Sequence, residues 1–231
     1  MRKVILALVI LAIPASTMAA INWYTSKPAW DAARAAGGYT VLWGSENYEE
    51  STVPPGGGFA VNDPLQTGVP NPPYFPVGLV GHPDLTVQSN LDPAGIAPNP
   101  RGAGALAAFA VGGGGFISDV VISNYFVDSH DVLWLSTVNA AGFNPMRFSA
   151  PGVGTVKAFG AGNVLLGTTT NVAMNPGATA FLGVISDVPI ARLNLYATDG
   201  GAEGVDNMDT YVPEPATLAM LSLALLALRR R

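Results

Sequence analysis

The side chains of this chain that can do chemistry are few and scattered. There are two histidines, His82 and His130. His130 stands in the run Asp128-Ser129-His130-Asp131. Metal sites and hydrolytic sites use such residues, because imidazole moves protons near neutral pH and a carboxylate can orient it. Adjacent residues in a turn point in different directions, however, so the run reads as a hydrated turn between two strands. Three acids lie together at Glu46, Glu49 and Glu50. Paired carboxylates suit glycoside hydrolysis, but nothing in the spacing selects a pair. Gly112 to Gly115 precedes a strand rather than a helix, so it lacks the setting of a phosphate cradle. No serine elbow, zinc-ligand spacing or phosphate loop is present. No catalytic residue is assigned, and the reading is of a protein that is not an enzyme.

The elements that would position these residues are mostly short strands. The chain has 231 residues and no cysteine, so no disulfide framework stabilises it. Met1-Arg2-Lys3, the apolar run Val4 to Ile13, Pro14 and the small residues Ala15 to Ala20 form a secretory signal peptide, residues 1–20. The body, residues 21–212, has six basic and fifteen acidic residues, a net charge of −9. That charge argues against nucleic acid as a partner. Ser26, Pro28 and Ala29 to Ala36 predict one short helix ended by Gly37-Gly38. Residues 53–101 hold eleven of the nineteen prolines and read as ordered loops with short strands near Gly58–Val61, Val77–Val80 and Leu85–Ser89. From Gly102 onward, β-branched and aromatic runs alternate with Gly, Asn and Pro turns. The predicted strands are Ala105–Val111, Gly115–Ile122, Val132–Val138, Met146–Ala150, Gly154–Phe159, Asn163–Thr169, Ala178–Ser186, Ile190–Ala197 and Gly204–Tyr211. Their spacing predicts an all-β fold, an antiparallel β-sandwich or jelly-roll-like body with one short N-terminal helix. Val153 to Leu166 reads as a hairpin turning at Gly160-Ala161-Gly162.

The last residues, 213–231, differ from all of this. Pro213-Glu214-Pro215 is extended and poor in backbone donors. Ala216 to Leu228 is an apolar helical stretch, and Arg229-Arg230-Arg231 follow. Thirteen residues at about 1.5 Å each span about 20 Å, short of the ~30 Å hydrocarbon layer. The arginines would stay on the cytoplasmic side and leave the body outside. Val212-Pro213-Glu214-Pro215-Ala216-Thr217, the apolar helix and the arginines resemble the PEP-CTERM sorting signal of exported bacterial proteins. Many helices of that family carry a central Gly where this chain has Ser222. The resemblance implies an exosortase, an integral-membrane cysteine protease, as partner, with cleavage near Pro213, Glu214 and Pro215. It also implies a transient inner-membrane anchor before the protein reaches the cell surface or matrix.

Three body segments resemble domains that carry this signal: Gly115 to Val120, Phe181 to Ile190 and Gly204 to Met208. Those domains look like lectin-type or carbohydrate-module sandwiches. In such sandwiches an acid of an early strand and an Asp of the last strand can meet at a sheet edge and bind Ca²⁺ through hard oxygens. Glu46, Asp206 and Asn207 are the candidates here, with Asp119 a fourth. A structural Ca²⁺ is the one cofactor this suggests. The leading expectation is an exported non-enzymatic surface or matrix protein associated with exopolysaccharide. A carbohydrate-binding module is the alternative, and a secreted glycan hydrolase the third.

Overall fold

A computed structural model describes residues 20–214. Residues 1–19 of the expected signal peptide lie outside the described residues, as do Pro215, the apolar helix and Arg229 to Arg231. What is described is antiparallel β-sheet with one α-helix.

The helix, α1 (Lys27–Ala36), begins with Pro28 in its first turn, where a missing N–H leaves no bond unmade. It ends at Gly37, whose N–H donates to Ala33 O at 3.0 Å. Trp30 on its inner face is fully buried, and its indole donates to Val184 O at 3.3 Å. Gly142 and Gly183 lie under that indole. A Cβ on them would come within 2.8 Å and 2.4 Å of ring atoms, so only glycine lets the helix lie this close to the sheet.

The strands are β1 (Ile21–Tyr24), β2 (Val41–Glu46), β3 (Gly58–Val61), β4 (Leu65–Gln66), β5 (Leu85–Asn90), β6 (Leu106–Phe109), β7 (Val120–Ser123), β8 (Ser129–Arg147), β9 (Gly152–Phe159), β10 (Leu165–Met174), β11 (Leu182–Ala197) and β12 (Glu203–Val212). Two long strands, β8 and β11, run through both halves of the sheet. The first part of β8 pairs with β5 on one side and with the last part of β11 on the other, and β9 and β10 extend that half. The second part of β8 lies between β12 and the first part of β11. There β1, β2, β7, β6 and β3 complete the other half. The register shifts between Ile185 and Ile190, and again before Arg192. Such irregularities bend a strand and let it pass from one half to the next. The largest of three hydrophobic clusters takes Val87 and Leu193 from the first half, and Phe143, Val184 and Met208 from the second.

Several expected strands are placed differently. Val132–Val138 and Met146–Ala150 fuse into β8, and Ala178–Ser186 and Ile190–Ala197 into β11. Asn144-Pro145 and Asp187-Val188-Pro189 read as stops, but they sit at bends and irregular pairings that a long strand tolerates. Val77–Val80 forms no strand, and Leu79 makes one isolated bridge to Thr67. The strand expected from Gly115 starts only at Val120, because Gly113–Gly115 closes a tight 3₁₀ turn. The β9–β10 hairpin turns at residues 160–164, where the sequence places it.

Candidate functional site

Among the described residues, two buried polar regions and the start of the tail bear on the candidate residues. The first region is an acidic corner where β2 meets β12. Glu46 closes β2 opposite Met208 and is fully buried. Its Oε1 accepts the N–H groups of Asn47 at 3.0 Å and Tyr48 at 2.9 Å, while Oε2 has no partner. Burial, with Glu50 beside it, pushes Glu46 up to about 7. Burial also raises Glu50, whose carboxylate accepts from Val80 N at 3.2 Å.

Asp206 comes to the same corner from β12. Its carboxylate accepts from Ser118 Oγ, from Asn207 N at 2.7 Å and from Asn207 Nδ2 at 2.9 Å. Burial outweighs those bonds, and with Asp119 and Glu49 nearby it pushes Asp206 to about 6. Asp119 is raised by burial and by Glu49, and its Oδ1 accepts from Val111 N at 3.1 Å. Asn207 adopts φ +48° at the bulge of β12. Beside these groups lies a cleft of about 440 Å³ lined by Asn47, Glu49, Ser118, Asp119 and Asn207. Tyr48 stands between the acids. Burial, then Glu46, Asp206 and Glu50, hold its phenol well above the ordinary value, and its OH has no partner.

The pairing of β2 with β12 sets Glu46 beside Glu50 and Tyr48, and the pairing of β7 with β12 sets Asp119 beside Asp206 and Asn207, with Tyr48 facing both groups. Among the described residues, though, no three His, Asp or Glu side chains form a group that could hold a metal ion. The reason is visible in the bonding: Asp206 and Asp119, and Glu46 through Oε1, are turned to donors of the protein itself. Sequence reasoning missed Tyr48 and Ser118, since neither carries a charge.

The second region corrects the expectation of a hydrated turn. Asp128, Ser129, His130 and Asp131 are all fully buried, the last three as the first residues of β8. Asp131 accepts from Arg192 Nη1, Asn194 Nδ2 and Asn90 Nδ2, each at 2.8 Å. Asp128 accepts from Arg101 Nε at 2.6 Å. Arg192 also donates to Gly95 O at 2.9 Å and Ile96 O at 3.1 Å, which ties the loop after β5 across the sheet. The polarity of the run is spent inside the protein because each charge has a partner there. Burial drives His130 down to about 3 and His82 down to about 4, so both rings are neutral at pH 7. His82 Nε2 lies 2.7 Å from Thr210 Oγ1, and its Nδ1 lies 3.2 Å from Asp84. Gly112 to Gly115 makes a tight turn ahead of β7.

The third place is where the tail leaves the fold. β12 runs to Val212, paired with Val41. Pro213 follows. The N–H of Glu214 donates to Gly38 O at 3.1 Å, and Thr40 Oγ1 donates to the Glu214 carboxylate. The Arg34 guanidinium covers the Tyr211 ring at 3.8 Å and donates to Tyr39 O at 3.3 Å. Pro215 and the arginines lie beyond the described residues.

No curated protein and no solved structure matches the chain. Residues 212–231 match the PEP-CTERM protein-sorting motif, so the motif starts on the last residue of β12 itself. The chain is a protein bearing a PEP-CTERM sorting signal, joined without a linker to an antiparallel β-sheet body.

Proposed function

We propose that this protein is a non-enzymatic component of the cell surface or extracellular matrix, associated with exopolysaccharide. An exosortase would release it from a transient inner-membrane anchor. The observation that carries the reading is the sorting motif at residues 212–231, which implies export and exosortase sorting. A non-enzymatic role draws support from the two histidines. Both are interior and neutral; His82 Nε2 lies against Thr210 and His130 Nδ1 lies 3.4 Å from Ser123 Oγ, while His130 Nε2 is buried without a partner. The shared core between the two halves of the sheet supports a β-sandwich of jelly-roll type.

One observation favours a carbohydrate-binding module as second reading. A cleft of about 320 Å³ is lined by the polar side chains of Gln66, Thr86, Gln88, Asn163 and Arg192, with Leu133, Leu135 and the largely buried Trp134 beside them. Such groups suit a neutral polyhydroxyl ligand. Deleting Ala216 to Arg231 tests the main reading. The truncated protein should collect in the periplasm unprocessed. Normal surface display of the truncated form would defeat it.

A further inference from the structure

The sorting tripeptide is not free of the fold. Glu214, its central residue, gives its backbone N–H to Gly38 O at 3.1 Å and takes a hydrogen bond from Thr40 Oγ1 on its carboxylate. Both partners belong to the segment between α1 and β2. Gly38 holds φ +77°, a left-handed conformation open to glycine at no steric cost, and this turns the chain after the helix towards the tail. The segment is itself anchored, because Arg34 binds Tyr39 O and stacks on Tyr211 one residue before the matched motif. Val212 on Val41 continues the ladder up to the proline.

We propose that Gly38 and Thr40 form a latch that withholds Glu214 from the processing protease, so that the folded body slows its own release. The inference rests on the exosortase reading above and adds a residue of the body to it. A protease binds its substrate chain extended, using backbone N–H and C=O groups together with side-chain contacts. In this tripeptide the prolines have no N–H, so Glu214 supplies the sole backbone donor. That donor and the carboxylate are the two groups bonded to Gly38 and Thr40. A hydrogen-bond donor in a near-linear bond serves one acceptor well, so binding to the protease requires the latch to open. Thr40 and Glu214 are exposed and Gly38 is half-buried, so the latch is weak enough to open.

The test is a pulse-chase of the full chain in cells that hold the exosortase, following conversion of the anchored form to the shorter product. Thr40→Val removes the hydroxyl at nearly constant volume and should speed conversion about fivefold, the order expected for one hydrogen bond. Thr40→Ser restores the donor and should return the wild-type rate. Hydrogen exchange on the purified unprocessed protein gives a second readout. The Glu214 amide should be protected in wild type and lose protection in Thr40→Val, while β12 amides stay protected. Conversion of Thr40→Val at or below the wild-type rate would overturn the latch, as would an unprotected Glu214 amide in wild type. If wild type itself yields no shorter product, the exosortase reading fails instead, and the role of the latch fails with it.

Discussion

Arg192 and Glu46 are both fully buried, yet their surroundings differ in kind. Around Arg192 the charges balance. Its guanidinium meets Asp131, two backbone carbonyls and the face of Phe159, and Asp131 has two amides besides. Around Glu46 they do not. Glu46, Glu49, Glu50, Asp119 and Asp206 act on one another, and among the described residues no lysine or arginine forms an ion pair with any of them. Burial raises Asp131 too, but Arg192, Asn194 and Asn90 oppose that rise and fix its geometry. Buried like charges relieve themselves by holding protons. The first region therefore acts as a brace under the loop after β5, and the second acts as a store of protons near neutral pH.

The largest effect should come from breaking the balanced region. Arg192→Met keeps an unbranched chain over Phe159 but leaves Asp131 without its cation. Removing one partner of a buried pair costs about 3–5 kcal/mol. The denaturant midpoint should fall accordingly. A loss under about 1 kcal/mol would mean that the two regions do not differ as described.

A smaller effect, with a definite sign in pH, should come from the acidic corner. Glu46 sits at about 7 against an ordinary 4.5, and Asp206 at about 6 against 3.8. Both are raised, so the folded state holds their protons more tightly. Their contribution is fully present below about pH 4 and is lost as pH rises towards about 7. The buried histidines act in the opposite sense. They are held near 4 and 3 against 6.5, so they favour folding as pH rises to 6.5. The whole-protein curve mixes the two trends. The difference between wild type and Glu46→Gln isolates the corner, because Gln is neutral at every pH. That variant should gain about 3 kcal/mol over wild type at pH 8 and nothing at pH 4. A difference that does not change with pH would remove the proton store.

Much of this fold could be read in advance, because it is written in short-range pattern. In Ile190 to Ala197 the polar Arg192 and Asn194 alternate with Leu193 and Leu195, which is how β11 presents one face to the core and one to the Asp131 network. The β9–β10 hairpin is carried by its own turn. The misreadings are long-range. Asp128 to Asp131 looks hydrated until Arg192, sixty-one residues beyond Asp131, is placed beside it. Asn144-Pro145 looks like a stop until the bulge of β12 absorbs it. Convergence of Glu46 with Asp206 depends on β2 pairing with β12, and nothing local to either strand sets that register. The hold of Thr40 on Glu214 spans 174 residues and was invisible for the same reason.

The smallest effect concerns calcium, and it asks whether the unbalanced corner can borrow the cation it lacks. A Ca²⁺ site needs six to eight oxygens at about 2.3–2.6 Å, several of them ionised. Asp206 already accepts three protein hydrogen bonds, and Glu46 Oε1 accepts two. Glu46 Oε2 remains, but at about 7 that carboxyl is half protonated at neutral pH, so an ion must displace a proton to bind. Glu49 and Asp119 border the cleft, where water competes for them. These terms add to a weak site. Millimolar Ca²⁺ at pH 7 should change stability by less than about 0.5 kcal/mol, and a chelator should leave the melting curve of the mature protein where it was. An ion held a hundredfold above its Kd would add about 2.7 kcal/mol. A rise of that size, lost on chelation and absent in Glu46→Gln, would show that the carboxylates reorganise around the ion. The corner would then be a metal site closed by its ligand, and the contrast with the Arg192 region would become one of a built-in cation against a borrowed one.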